Sequence, residues 1–310
     1  MNRNLVDRIV NAVLYEGYVL YPYRASAIKN RKRWMFGGLY PPAWSAAQNG
    51  TDAAGMQAEC LVAGDDASCV DIEVRFLHLL ELGEGNDERQ EAIERHVTIG
   101  GINLAETELQ PKRMAFTFPA SREIKSGVKR TQEFIQGMVE VQSQPAGPQL
   151  WKLTVSSCNE TPLEQLNAPA AFMRCMASTH ALLGVRGGQF ISLLTPPEEL
   201  REIAAACRNI GVWPVLVGEN GERQTMLASP IILYDYPQVA PESAGDFFDA
   251  TEMDEMLTLR VLTLTEDEKR EMRAGDERAR RILERTESLA PEHLMKLHGA
   301  IRGLRPIGGS

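Results

Sequence analysis

The clearest pattern in the chain is a strict alternation. Val70, Ile72, Val74 and Phe76 interleave with Asp71, Glu73 and Arg75, the period of two that marks a half-buried strand. Segments 55–63, 93–99, 113–118, 136–142 and 150–157 read as further strands. Residues 138–141 and 150–155 flank Pro145-Ala146-Gly147-Pro148, which predicts a hairpin with a longer loop. Asn220-Gly221 lies between the apolar runs 215–217 and 224–227 and is the strongest short hairpin signal present. A strand is predicted to follow at 231–234.

Helical spacing shows at Leu5, Ile9, Val10, Val13 and Leu14. After Gly17 a short strand is predicted at 18–21, and residues 24–53, punctuated by Gly and Pro pairs, read as a long irregular loop. Residues 168–183 read as a helix, after which Gly184, Gly187 and Gly188 turn the chain into a strand at 189–194. Thr195-Pro196-Pro197-Glu198 carries a capping box, with Leu200, Ile203, Ala204 and Cys207 on one apolar face and Gly211 as the stop. Asp249 with Glu252, and Thr265 with Glu268, open two more predicted helices. The second is densely charged to about 287, and a last helix spans 291–304.

The character therefore changes near residue 165. The predicted fold class is α+β. A β-rich, sandwich-like domain over 1–165 carries an N-terminal helix and a long basic loop. A smaller α/β region over 166–310 ends in charged helices. A chain of 310 residues with 44% hydrophobic content is long and apolar enough to build such cores. Its net charge of −9 argues against a broad nucleic-acid surface. No run of about 18 apolar residues occurs, and Asp7 and Arg8 interrupt the N-terminal apolar run, so neither a membrane span nor a secretory signal is expected. A cytoplasmic location follows as the expectation. The five cysteines, Cys60, Cys69, Cys158, Cys175 and Cys207, are widely spaced and odd in number, which suits reduced thiols.

Four features could carry chemistry. Arg24, Lys29, Arg31, Lys32 and Arg33 interleave with aromatics up to Trp34 and Phe36, in a stretch without acid between Glu16 and Asp52. Such a set suits phosphate, a nucleic-acid backbone or an acidic protein surface; the plainer reading is a solvated loop anchored by its aromatics. Asp235, Glu242, Asp246, Asp249, Glu252, Asp254 and Glu255 form an acidic stretch without Lys or Arg. It fits no EF-hand spacing, and a partner surface or an internal match for the basic loop is preferred over metal. Cys175 and His180 could be nucleophile and base, yet on a helix they would lie roughly 140° apart. Gly184-Val185-Arg186-Gly187-Gly188 contains no phosphate-binding fingerprint and reads as a tight turn. No Cys-x-x-Cys, Gly-x-Ser-x-Gly or His-Glu-x-x-His motif occurs, and no cofactor or metal is predicted.

Three blocks carry a resemblance. They are Tyr18-Val19-Leu20-Tyr21-Pro22-Tyr23-Arg24 with Asn30-Arg31-Lys32-Arg33-Trp34 and Gly37-Gly38; Ser178-Thr179-His180; and Ser229-Pro230-Ile231-Ile232-Leu233-Tyr234-Asp235-Tyr236-Pro237 with Pro241-Glu242-Ser243 and Thr258-Leu259-Arg260-Val261-Leu262-Thr263-Leu264-Thr265. Together these resemble an uncharacterised family encoded among the accessory genes of nickel–iron hydrogenases. The likeness covers most of the chain and implies a setting, not a mechanism. It implies an accessory or assembly protein that works by protein–protein contact, its partner a hydrogenase subunit or maturation protein. No functional residue carries over from the resemblance; the contact residues, taken from the two charged stretches, would be Arg24, Lys29, Arg31, Lys32, Arg33, Trp34, Asp246, Asp249, Asp254 and Glu255. The alternatives are an enzyme or cofactor-handling protein centred on Cys175, His180 and Arg186, and a structural subunit of the mature complex.

Overall fold

The alternation at 70–76 belongs to a single thirty-residue strand, β1 (Gly55–Glu84), around which a computed structural model arranges the rest of the sheet. The structure describes residues 6–11, 14, 37–84, 87–125, 128–238, 269, 273 and 284. The chain divides into two units, residues 1–17 with 34–237 and residues 18–33 with 238–310. The first holds every element that follows. In the second, Lys269, Arg273 and Glu284 are helical. The predicted strand at 18–21 and the helices opened by Asp249 and at 291 lie outside the described residues.

One edge of β1 takes β7 (Leu150–Asn159) against residues 55–63 and β2 (Asp87–Asn103) against residues 69–84. The other takes β8 (Met176–Ile191) from 61 to 78 and β5 (Val128–Gln132) at 81–83. Beyond β7 lie β6 (Ile135–Gly147) and β3 (Lys112–Phe118); β4 (Ser121–Lys125) pairs with β5. Beyond β8 lie β10 (Thr225–Ser229) and β9 (Trp213–Leu216). All pairings are antiparallel, and the ten strands form one hydrogen-bonded sheet that is β-rich as expected. Strands on both sides of residue 165 belong to it, so the change of pattern there is not an edge of the sheet. Both predicted hairpins are present, β6–β7 and β9–β10.

A strand thirty residues long cannot stay flat, because strand twist accumulates along it. β1 bends at a bulge between Gly64 and Cys69. There Asp65 Oδ1 accepts from Ala67 N at 3.0 Å and from Ser68 Oγ at 3.3 Å, and Ser68 Oγ donates to Gly187 O at 2.8 Å. The facing strand answers with glycine: Gly187 has φ +75°, and a Cβ on Gly188 would sit 2.8 Å from Ala63 O. The glycine run at 184–188 is therefore the β8 side of a paired bulge within one strand, not a turn from a helix.

One face of the sheet buries a continuous core that includes Met56, Val62, Val70, Ile72, Val74, Phe76, Leu153, Leu183 and Phe190. On the other face α1, in which residues 6–11 and 14 are helical, buries Val6, Ile9, Val10 and Leu14. The short helix α2 (Pro42–Ala47) sits inside the stretch read as irregular, with proline at its first position. Helices α3 (Leu104–Leu109) and α4 (Ala168–Met173) are capped by Asn103 and Asn167, whose side chains accept from Glu106 N and Ala170 N.

Three expectations are corrected. The helix predicted over 168–183 ends at Met173, and 176–191 is strand. Residues 176–183 are buried on both faces, so the run has no alternation of polar and apolar positions to mark it as strand rather than helix. The Thr195 capping box does not form: Thr195 N and Oγ1 both bond Ser192 Oγ, and a 3-10 turn at Glu198–Leu200 leads into α5 (Arg201–Ala205). Leu200, Ile203, Ala204 and Cys207 nevertheless pack together against Leu61, Leu150 and Ile191. Finally, residues 231–234 are not a strand; Ile232 and Tyr234 are exposed, and the chain has left the sheet at the end of β10.

Gly188→Ala is expected to lower stability by about 1–3 kcal/mol through overpacking at the paired bulge. Gly184→Ala, where the nearest atom is 3.9 Å away, is expected to stay within roughly 0.5 kcal/mol of wild type. Urea denaturation of the two variants side by side checks the difference.

Candidate functional site

The three side chains of the expected enzyme site do not converge. Cys175 immediately precedes β8 and is fully buried. Burial pushes its thiol far above the usual range, against a hydrogen bond with the Tyr40 side chain. His180 lies within β8 and is also fully buried. Its Nδ1 donates to Ser178 O at 2.9 Å, which leaves Nε2 as a buried acceptor with no partner among the described residues. Burial lowers its pKa to about 4, with Arg75 adding to the effect. Arg186 is mostly exposed and bonds Asp71 Oδ1 at 3.1 Å; the same oxygen accepts from Gly101 N at 2.7 Å. Six residues of extended chain separate it from His180, roughly 20 Å.

Of the other predicted site residues, Arg24, Lys29, Arg31, Lys32, Arg33, Trp34, Asp246, Asp249, Asp254 and Glu255 lie outside the described residues. Asp235, at the start of the acidic stretch, holds the fold together. Its Oδ2 accepts from Ser192 Oγ at 2.5 Å and its Oδ1 from Leu216 N at 2.8 Å. With Tyr236 N donating to Leu216 O, this segment covers the open edge of β9.

The structure gathers two polar clusters that the motif search missed. The first lies on the α1 side of the sheet, where His96, Arg75 and His180 occupy one row across β2, β1 and β8. Arg75 is 4% exposed. It bonds Asp7 of α1 at 2.9 Å and Glu73 at 2.9 Å, and Glu94 lies 3.8 Å away. Burial alone would lower the Arg75 pKa, but the bonds from Glu73 and Asp7 outweigh it and raise it. Likewise burial would raise that of Glu73, but hydrogen bonds from Arg75 and His96 hold it below the usual range. His96 places Nδ1 2.6 Å from Glu73 and Nε2 2.9 Å from Glu94. This network fastens α1 to the sheet.

The second cluster lies on the core side, near the β1–β2 end. His78 continues the inward alternation of Val74 and Phe76 and is fully buried. Its Nε2 donates to Glu133 O at 2.7 Å, so Nδ1 is the acceptor, and Arg95 Nε donates to it at 3.4 Å. Burial, with help from Arg95, lowers the His78 pKa to about 4. Arg95 Nη2 donates to Gln132 Oε1 at 2.9 Å, and its guanidinium lies 4.8 Å from the Phe118 ring centre. Phe118 packs in turn on Phe76 and Phe116. The sequence held a signal for this cluster: an alternation that runs on through 78, and Arg95 in phase with Val97 and Ile99. Among the described residues, no His, Cys, Asp and Glu side chains are grouped as a metal site.

The two buried histidines set a pH dependence. Both have folded pKa values of about 4, below the ordinary value near 6.5. The fold therefore favours the neutral rings. That stability is fully present above about pH 6.5 and is lost as pH falls towards 4, by about 3 kcal/mol for each histidine. His180→Leu is expected to flatten this limb while staying within about 1 kcal/mol of wild type at pH 7, because it also removes an unsatisfied buried acceptor. Urea denaturation at half-unit steps from pH 4 to 7 measures both effects.

No protein-family model matches the chain, and no curated protein matches it in sequence.

Proposed function

We propose that this chain is a non-catalytic accessory or assembly protein for a nickel–iron-hydrogenase-type metalloenzyme, acting by protein–protein contact. The observation that carries the reading is the fate of the reactive side chains. Cys175 and His180 are sealed in the core and Arg186 is spent on Asp71, so the best nucleophile–base candidates have no route to a substrate. The resemblance of three sequence blocks supplies the setting. The contact surfaces of this reading are the basic–aromatic segment from Arg24 to Trp34 and the acidic segment from Asp246 to Glu255, each rich in residue types that recognise protein surfaces. The reading also places the protein in the cytoplasm, with charged helices in its C-terminal part.

A tagged full-length chain, recovered under native conditions from cells expressing the hydrogenase, tests it. Hydrogenase subunits or maturation proteins are expected to co-elute in defined proportion. Replacing Arg31, Lys32 and Arg33 together by Glu is expected to weaken that recovery at least tenfold, with an unchanged unfolding midpoint. Undiminished recovery removes the basic segment from the interface, and a chain that elutes without either class of protein overturns the reading.

A further inference from the structure

Arg95 differs from the other half-buried and buried arginines. Arg75, Arg130 and Arg174 each lie against carboxylates. The partners of Arg95 are neutral: the unprotonated nitrogen of His78, the amide oxygen of Gln132 and the face of Phe118. Burial lowers its pKa, and no carboxylate offsets the effect. The carboxylate of Glu133, whose backbone oxygen anchors His78, is engaged by Arg174 at 2.7 Å.

The geometry of the guanidinium says what remains open. Nε and Nη2 share one edge, and that edge is spent on His78 and Gln132. The terminal edge, made of Nη1 and the second Nη2 proton, holds donors with no partner among the described residues. The groups that hold Arg95 are themselves fixed: His78 is fully buried and anchored through Glu133 O, and Gln132 is 4% exposed and donates back to His78 O at 3.4 Å. Arg95 is thus a cation clamped on one edge and one face, half-exposed, with a free fork of the shape that matches a planar oxyanion. A clamped side chain has already lost the rotamer entropy that a free arginine would surrender on binding.

We propose that Arg95, positioned by His78, Gln132 and Phe118, is a binding site for a small oxyanion, a carboxylate or a phosphate. The site stands independently of the accessory reading, because none of its residues belongs to the segments assigned to partner contact.

Titration of the full-length chain with inorganic phosphate and with sodium acetate, at constant ionic strength set by chloride, tests it. The readout is the Arg95 Nε–H resonance in proton–nitrogen NMR spectra, identified by its loss in Arg95→Lys. A saturable shift in the millimolar range or below is expected. Response to phosphate alone or to acetate alone names the ligand class, and response to both assigns the shared oxyanion chemistry. Arg95→Lys, which cannot present a fork, is expected to weaken binding about tenfold or more, as followed by neighbouring amides. Gln132→Leu leaves the charge but loosens the clamp, and is expected to weaken binding less. A wild-type resonance that moves linearly or not at all with both anions overturns the proposal, as does equal affinity in Arg95→Lys. Where Arg95→Lys does not fold, through-bond correlation from the Arg95 backbone assigns the same resonance, and the wild-type titration decides the matter.

Discussion

The two-sided hydrogen bonding of β1 is the constraint on which the rest of the structure depends. Four strands pair with it directly, and residues 61–63 and 69–78 are paired on both edges at once. A strand buried this way must satisfy its backbone groups along its full length, and it must also bend. The bend is concentrated at residues 64–69, where Asp65 and Ser68 supply side-chain partners for the interrupted ladder. Gly187 and Gly188 make room on the facing strand. The alternation stays in phase through the bulge: even-numbered residues from Met56 to Val62, and again from Val70 to Phe76, face the same core. A slip of one residue would reverse every one of them.

That phase also decides where charge goes. Odd-numbered Glu73 and Arg75 face α1, and a buried Arg75 is met there by the part-buried side chains of Glu73, Asp7 and Glu94, with the exposed His96 completing the network. Buried pairs of this kind give specificity of docking more reliably than net stability. The value of the cluster lies in fixing α1 over one row of the sheet. His180 is the exception in that row. Its Nε2 has no partner among the described residues, so the neutral ring carries the cost of an unsatisfied buried acceptor, and a further cost appears when acid is added.

The elements legible in the sequence were those whose pattern is local. The period-two strands, the β6–β7 and β9–β10 hairpins, the N-terminal helix and the apolar face of α5 all follow from neighbours in sequence. What was not legible depended on partners far along the chain. Residues 176–183 are buried on both faces although Ser178, Thr179 and His180 lie among them, because β1 pairs along one edge and both faces of the sheet are covered there. Thr195 abandons its capping role because Ser192 is fixed by Asp235, forty-three residues away from it. The site residues divide in the same way. Cys175 and His180 were chosen by chemical type, and burial withdraws both. His78 and Arg95 were visible only as polar residues in phase with apolar ones, and their meaning needed β5 and β3 brought alongside.

A polar residue in an inward phase usually ends in a closed network, as His78 and Gln132 show. Arg95 does not close. A fold that needed only to satisfy the Nδ1 atom of His78 could do so with a neutral donor and avoid desolvating a positive charge. A fold that needed only a cation over Phe118 could leave it mobile at the surface. Holding a half-buried guanidinium by three neutral groups, with its terminal edge turned free, satisfies neither need economically. It does satisfy the requirement of a receptor, which must be ordered before its ligand arrives and must keep its counter-charge for that ligand. The arrangement on β1, β2, β3 and β5 is rigid for the same reason the core is: every residue of the clamp is either in the ladder of the sheet or one residue from it.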